Sequence, residues 1–375
     1  MSQRSLHLQA PDATVLRARL DRAKQAAAGT GLLIAPGSDL RYLIGQAGGS
    51  FERLTTLVIP ADGNPALVVP KLEAPGFGDV PMDDLGIDLI TWVDGDDPYA
   101  LAAARLGGPE RIAVSDFTPA LHVLALRDAM PGVAQVLAGP IVRELRMRKD
   151  AAEIAALREA GAAIDRVHAR VGEWLRAGRT EAEVGADIAA AIVEEGHERA
   201  DFVIVGSGPN GSSPHHDVSD RVIEAGDVVV VDIGGPIAAG YNSDSTRTYS
   251  VGEPRDSDVP ATYAVLQEAQ QAAVDAVRPG VSAESIDRAA REVITAAGLG
   301  ELFIHRTGHG IGLDVHEEPY IVSGNELILE PGMAFSVEPG IYQEGRWGAR
   351  IEDIVVVTDT GVESFNQRPH TLMAV

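Results

Sequence analysis

Residues Val228 to Thr248, VVVVDIGGPIAAGYNSDSTRT, constrain this chain more than any other stretch. Four valines in a row run into Asp232, a Gly/Pro-rich connection follows, and a second acidic residue, Asp244, sits inside Asn-Ser-Asp-Ser-Thr. A continuous apolar run bounded by turn residues reads as a strand buried on both faces. A carboxylate at the end of such a strand loses its hydration unless something charged compensates it. Two readings follow. The aspartates either flank a β-hairpin as turn residues, or they are two ligands of one hard-metal site.

A chain of 375 residues can bury two cores. Up to about Arg143 it alternates strand and helix signals. Val15–Ala28 and Ala120–Ala129 read as helices; Leu32–Ala35, Thr55–Ile59, Ala66–Val69, Ile87–Trp92 and Arg111–Ser115 read as short strands. This is an α/β layer, and its scattered polar residues form no chemical cluster. The join falls near Ile141 to Lys149. From Asp150 the pattern changes to long amphipathic helices, the first stopping at Gly178, and Thr180-Glu-Ala-Glu183 opens the next as a capping box. Strands follow at Phe202–Val205, Val228–Asp232 and Thr246–Val251. The plan then repeats: helices over Ala261–Val277 and from Ser282 to Ala297, then strands at Met333–Val337 and Ile351–Val357. Residues 150–256 and 257–375 thus each read helix, helix, strands, which implies a pseudo-twofold with a site where the halves face each other.

The second half supplies partners for the two aspartates. His305, His309 and His316 fall within twelve positions of a Gly-rich segment, out of only 10 histidines in the chain. They are not an HExxH zinc helix, because Pro319 stands where that helix must continue. Phe335-Ser-Val-Glu338-Pro-Gly340 again ends a strand in a carboxylate, and Glu352 lies in an apolar strand pattern. Asp232, Asp244, Glu338 and Glu352 with one histidine make an oxygen-rich donor set that suits Mn, Co or Zn, with Mn favoured. Four carboxylates exceed the needs of one ion and suit two ions roughly 3.5–4 Å apart, which lower the pKa of a water from about 15.7 to about 7. The implied class is metal-assisted hydrolysis. His215 and His216 are either exposed loop histidines, or one of them reaches into the cleft to meet substrate.

Other chemistries fall away. Lys+Arg 31 against Asp+Glu 55 gives −24, the wrong sign for nucleic acid or an anionic membrane. The absence of cysteine removes thiolate sites and fits a reducing cytoplasm. The first twenty residues lack the apolar core of a signal peptide, and no apolar run reaches about 18 residues. Gly206-Ser-Gly208-Pro-Asn-Gly211 follows a strand, yet Pro209 and Pro214 oppose the helix that a dinucleotide site needs. There is no GxSxG elbow, and Ser243 and Ser245 read as hairpin residues.

Taken together, VGSGPNGSSPHH, VVVDIGG, NSDSTRT, HRTGHGIGLDVHE, FSVEPGIY and GARIED resemble the pita-bread metallopeptidases: methionine aminopeptidase, aminopeptidase P and prolidase. The nearest likeness is to the Xaa-Pro dipeptidase and aminopeptidase P branch, and it covers nearly the whole chain. The resemblance implies an α+β pita-bread catalytic domain with pseudo-twofold halves over 150–375. A smaller α/β creatinase-type N-terminal domain precedes it over 1–143. It further implies five ligands for two divalent ions: Asp232 on one, Asp244 and Glu352 shared, His309 and Glu338 on the other. A water activated by the pair would attack the scissile carbonyl while Glu338 handles the proton. His215 and His316 match histidines that orient substrate and stabilise the tetrahedral intermediate, His305 one that lines the cleft, and Arg350 an arginine that supports the site. Tyr241 sits where relatives often place an aromatic.

The expected activity is hydrolysis of Xaa-Pro dipeptides by a cytoplasmic homodimer, with a small peptide bearing proline at its second position as substrate. Two features depart from the pattern. Asp232 and Asp244 are twelve positions apart, one more than in several relatives, and Tyr320 and Ile321 stand where some prolidases carry an arginine that reads a free carboxylate. Aminopeptidase P action on longer peptides therefore stays open, as does a metal-dependent hydrolase or lyase acting on a non-peptide substrate. A metal-free relative of the same fold fits less well, because all five ligands are retained.

Overall fold

Residues 12–49 and 52–375 are described by a computed structural model; residues 1–11, read above for targeting signals, lie outside the described residues. The chain divides into two compact units, Gln9–Arg146 and Met147–Val375.

The first unit begins with α1 (Ala13–Ala26), capped by Asp12, whose carboxylate accepts from Val15 N at 2.9 Å. It continues through β1 (Gly31–Ile34), α2 (Ser38–Ile44), β2 (Thr56–Ile59), β3 (Ala66–Pro70), α3 (Met82–Leu85) and β4 (Asp88–Trp92). It closes with α4 (Pro98–Leu106), β5 (Arg111–Val114), α5 (Ala120–Ala129), β6 (Ala134–Leu137) and α6 (Gly139–Met147). The sheet order is β4-β3-β2-β1-β5-β6. It is antiparallel from β3 to β1 and parallel toward both edges. The apolar runs at Leu32, Thr55, Ala66, Ile87 and Arg111 are all strands. The edge strand β6, Ala134–Leu137, was not read from the sequence; it is short, four residues, and mostly exposed.

The second unit opens with α7 (Ala151–Trp174) and α8 (Glu181–Glu194), each begun by a complete capping box, Asp150 with Glu153 and Thr180 with Glu183. α7 stops before Gly178: Leu175 leaves the helix with ψ 106 and is buried, so packing turns the chain first, and Gly178 serves the next turn at φ +90. Then come β7 (Phe202–Ser207), β8 (Val228–Pro236) and β9 (Asn242–Ser250). The second half runs α9 (Val259–Ala276), α10 (Ala283–Ala296), β10 (Gly308–Gly310), β11 (Glu317–Ile321) and β12 (Ala334–Val337). It ends with β13 (Gly340–Gln343), β14 (Trp347–Arg350), β15 (Asp353–Val357), β16 (Val362–Ser364) and β17 (Met373–Ala374). The sheets are β17-β9-β8-β7, β11-β10-β12-β15-β16 and the ribbon β13-β14.

Each half keeps its own apolar core. One gathers Ile164, Val184, Ile188, Val229, Val231 and Tyr249; the other gathers Leu266, Ile286, Phe335, Ile341, Trp347 and Val355. No helix among the described residues is long and apolar enough to cross a membrane. The segment after Gly206-Ser-Gly208 is a short 3-10 turn, Gly208–Ser212, rather than an α-helix.

Three strand boundaries differ from the sequence reading, and all three matter to the site. β8 runs on through Gly234, Gly235 and Pro236, so Asp232 lies mid-strand rather than at a strand end. The two glycines are there for close approach: a Cβ on Gly234 would lie 2.3 Å from Ser243 O, and one on Gly235 2.3 Å from Arg199 O. β9 already begins at Asn242, so Asp244 is a ladder residue and not a turn residue. The expected strand Ile351–Val357 is broken, and Glu352 lies in the gap between β14 and β15. There Thr246 O, on β9, accepts its N–H at 3.1 Å.

Close approach is tightest at Gly308, where a Cβ would lie 1.9 Å from Ser336 O on β12. Gly308→Ala should therefore force β10 away from β12 and cost about 1–3 kcal/mol as overpacking. Thermal unfolding monitored by circular dichroism should show a lower Tm; an unchanged Tm would mean that the β10–β12 spacing is not a constraint.

Candidate metal centre

The β8–β9 ladder sets the first two carboxylates. Asp232 pairs with Thr246 and Gly234 with Asp244. Asp244 and Thr246 are two apart and therefore share a face, and cross-strand pairing puts Asp232 on that face as their neighbour. The connection Ile237–Tyr241 closes through Ile237 N to Tyr241 O at 3.0 Å, with Gly240 at φ +86. The hairpin, with its two aspartates twelve positions apart, thus keeps both carboxylates on one face. Arg350 and Glu352 are likewise two apart and both buried, while Ile351 between them joins the apolar core. β10 brings in His309, and Glu338 follows directly on β12.

Donor atoms from these residues form three overlapping groups, each within 4.8 Å: Asp232, Asp244 and Glu352; His309, Glu338 and Glu352; and Asp244, His309 and His316. The electrostatics call for a cation. His309 Nδ1 is 3.1 Å from Gly310 O, which can only accept, so the proton belongs on Nδ1 and the Nε2 lone pair faces inward. That lone pair looks at Asp244 Oδ2 at 3.5 Å and Glu338 Oε1 at 3.2 Å. Three acceptors thus converge with no donor among them. Asp232 Oδ1 is buried without a hydrogen-bond partner. Burial, with the charges of Glu352, Asp232 and Glu338 added, pushes the Asp244 carboxyl well above its usual range. Burial and then Glu338 and Asp232 do the same to Glu352. A divalent cation removes every one of these conflicts, and the donor set fits it.

Arg350 and Thr246 organise the rim. Arg350 Nη2 donates to Asp232 Oδ2 at 2.6 Å, and its Nε donates to Thr246 Oγ1 at 3.0 Å. Thr246 Oγ1 in turn donates to Glu352 Oε2 at 2.7 Å. Arg350 Nη1 donates to Tyr342 Oη at 2.7 Å, and Tyr342 Oη lies 2.9 Å from His305 Nε2. His305 Nδ1 is 2.7 Å from Arg306 O, so both of its nitrogens are committed. His305 is therefore linked to Arg350 through the Tyr342 hydroxyl. Tyr342 and Thr246 went unread in the sequence; an aromatic and a threonine in strand patterns carry no signal of their own. Tyr241, beside the second aspartate, donates to Glu153 at 2.7 Å.

A cavity of about 670 Å³ opens onto Asp232, Asp244, His309 and Glu352. Phe202, Val203, Ile204 and Val315 give it an apolar wall, and His215 and His316 also line it. Of the paired loop histidines, His215 faces the cavity while His216 Nε2 turns to Glu181 at 2.8 Å. The His316 ring packs edge-on against His309, with centroids 4.0 Å apart. Burial, with the neighbouring His309 and Arg306, lowers His316 to about 4. Its imidazole is neutral at physiological pH.

A model of metallopeptidase family M24 matches residues 155–359, and one of the creatinase/prolidase N-terminal domain matches residues 17–148. The chain is 61% identical over 368 residues to the probable dipeptidase PepE of Mycobacterium tuberculosis, covering 97% of this chain and 98% of that one. It is 36% identical over 344 residues to the Xaa-Pro dipeptidase of Lactobacillus helveticus, covering 90% and 92%. The crystal structure of dipeptidase PepE from Mycobacterium ulcerans superposes with a TM-score of 0.94 at 60% identity, covering 98% and 100%.

Asp244 contributes to two of the three donor groups. Asp244→Ala should accordingly lose bound divalent metal and activity together, read by elemental analysis of the purified protein beside a hydrolysis assay. Full activity in a metal-free variant would sink the metal-centre assignment.

Proposed function

The chain belongs to metallopeptidase family M24, and from that premise we propose that it is a metal-dependent dipeptidase that hydrolyses Xaa-Pro dipeptides. The observation that carries the reading is the convergence of Asp232, Asp244, His309, Glu338 and Glu352 on one another, with acceptors facing acceptors, beside a cavity that Asp232, Asp244, His309 and Glu352 line. Those five residues would hold two divalent ions. Manganese comes first, because carboxylate oxygens outnumber the single imidazole. The ions supply Lewis acidity, making a water a competent nucleophile near neutral pH and withdrawing charge from the carbonyl it attacks.

The remaining work falls to the chain. The apolar wall formed by Phe202, Val203, Ile204 and Val315 receives the side chains of a small peptide and excludes water from the scissile bond. His215 and His316 stand at the cavity surface, where imidazole N–H groups can donate hydrogen bonds to the substrate and to the oxygen that gains charge in the transition state. Arg350 fixes Asp232 and, through Tyr342, His305. Glu338, held by the Ser336 hydroxyl at 2.9 Å, is the carboxylate placed to take the proton of the attacking water and return it to the departing nitrogen. Proline gives the scissile bond a tertiary amide nitrogen, whose departure needs this proton. The division into domains at 1–143 and 150–375, the homodimer and the cytoplasmic location belong to the same proposal and follow from the family resemblance.

Two experiments test it. Chelated protein should be inactive and should recover hydrolysis of Ala-Pro when manganese is added back, with Ala-Pro-Ala cleaved much more slowly. Preferential cleavage of the tripeptide would instead identify an aminopeptidase P, and no cleavage of either would move the assignment to a non-peptide substrate. Glu338→Gln should lower kcat by about 100-fold or more while changing KM little, as expected for general acid–base catalysis. An unaltered kcat would remove Glu338 from proton transfer.

A further inference from the structure

We propose that Glu181 is a positioning residue for hydrolysis, acting through His216 to hold His215 at the cavity wall. The inference rests on the reading of His215 given above. Glu181 is the first residue of α8 and is wholly buried. Its carboxylate accepts from Ser207 N at 2.8 Å, Ser207 Oγ at 2.6 Å, Asn210 Nδ2 at 3.0 Å, Ser219 Oγ at 2.6 Å and His216 Nε2 at 2.8 Å. All five donors belong to the single segment 207–219, at its start, its middle and its end. Burial pushes the Glu181 carboxyl up, but the bonds from Ser207, Ser219 and His216 outweigh it and hold it below the usual range, so it is ionised. The start of α8 adds backbone donors of its own: Glu181 N donates to Arg221 O at 3.1 Å and Ala182 N to Ser219 O at 3.0 Å.

The segment has one conspicuous cargo. The His215 side chain is exposed, lines the cavity and makes no hydrogen bond to any described residue. Its neighbours do the holding on both sides. Pro214 O accepts from Arg350 Nη1 at 3.3 Å, which ties the segment to the metal-centre rim, and His216 ties it to Glu181. An imidazole with no hydrogen bond of its own to a described residue takes its position from the backbone between those two anchors. A buried ionised carboxylate that spends all its hydrogen-bonding capacity on one loop makes that backbone stiff.

The test uses the whole chain loaded with manganese, with Ala-Pro as substrate. It reads kcat, KM, metal content and Tm for His216→Ala, His216→Gln and Glu181→Gln, with and without His215→Ala. Misplacing a group by about 1 Å costs on the order of 100-fold. His216→Ala should therefore lower kcat by roughly 10- to 100-fold with metal content unchanged. His216→Gln, whose amide can still donate to Glu181, should recover part of the loss. In the His215→Ala background, His216→Ala should lower kcat no further, because groups acting through one another are not additive. Equal losses in both backgrounds would overturn the inference and leave Glu181 a purely structural residue, as would full kcat in His216→Ala alone. Should Glu181→Gln fail to fold, His216→Ala leaves Glu181 its four other donors and decides the matter. Undiminished kcat in His215→Ala alone would instead remove the role assigned to His215, and the inference with it.

Discussion

Acceptors that face acceptors set the terms for this protein. The His309 lone pair, Asp244 and Glu338 meet within 3.2 to 3.5 Å, and Asp232 and Glu352 press in from the side with Arg350 as their nearest fixed cation. The carboxylates and the lone pair of a neutral imidazole can only accept, so the members cannot satisfy one another. Without a cation, burial and mutual repulsion push the Asp244 and Glu352 carboxyls upward and favour protons there. A divalent ion replaces those protons, so metal affinity, proton release and stability of the second unit are linked quantities. The surrounding strands have to be strong enough to hold the cluster together before the ion arrives.

They do so with period two. Asp244, Thr246 and Thr248 point one way along β9; Arg350 and Glu352 point one way along the chain that faces it. Thr248 Oγ1 bonds both Arg350 O, at 2.8 Å, and Arg350 N, at 3.1 Å. On the opposite side of Glu352, the wholly buried Arg247 donates to Glu352 O and to Asp353 Oδ1, each at 2.7 Å. Asp353 also accepts from Gln270 on α9 and from His370 near the C-terminus. The gap between β14 and β15 that exposes Glu352 to the site is thus bridged by β9 of the other half. A one-residue slip would exchange ligands for core residues, and these polar ties forbid it.

How much of this could be read in advance divides along physical lines. The capping box at Thr180 and the buried valine strand were legible, because propensity and periodicity are local. The cluster of carboxylates and imidazole was legible as a candidate metal site because acidic and imidazole side chains inside strand and Gly-rich patterns contradict burial unless they share a partner. The exact reach of β8 was not: Gly234, Gly235 and Pro236 look like a turn, and only the neighbouring Arg199 and Ser243 backbones show that they serve close packing. Tyr342, Thr246 and Arg247 were invisible for a different reason. Their roles are long-range contacts between halves, and nothing within a short window distinguishes them from ordinary strand residues. His305 stood out by its motif, but the hydrogen bonds of its two nitrogens, to Arg306 O and the Tyr342 hydroxyl, were not legible there.

Asp232, Asp244 and His309 sit on strands, but His215 and His316, which line the same cavity, do not, and that contrast bears on two buried charges that otherwise look wasteful. Catalytic geometry tolerates errors of only about 0.5 Å, which loops do not hold unaided. His215 is followed by His216, bound to the buried carboxylate of Glu181. His316 is followed by Glu317, paired with Lys149, one of only three lysines in the chain, and both members of that pair are buried. Buried charges of this kind are poor sources of net stability, since desolvation offsets most of the attraction, whereas loss of one partner costs about 3–5 kcal/mol. Their effect is to make any other placement of the adjoining residue expensive. Each half of the pseudo-twofold therefore carries a cavity-lining histidine on an irregular segment and, one residue later, a side chain tied to a buried charged partner, Glu181 in one half and Lys149 in the other.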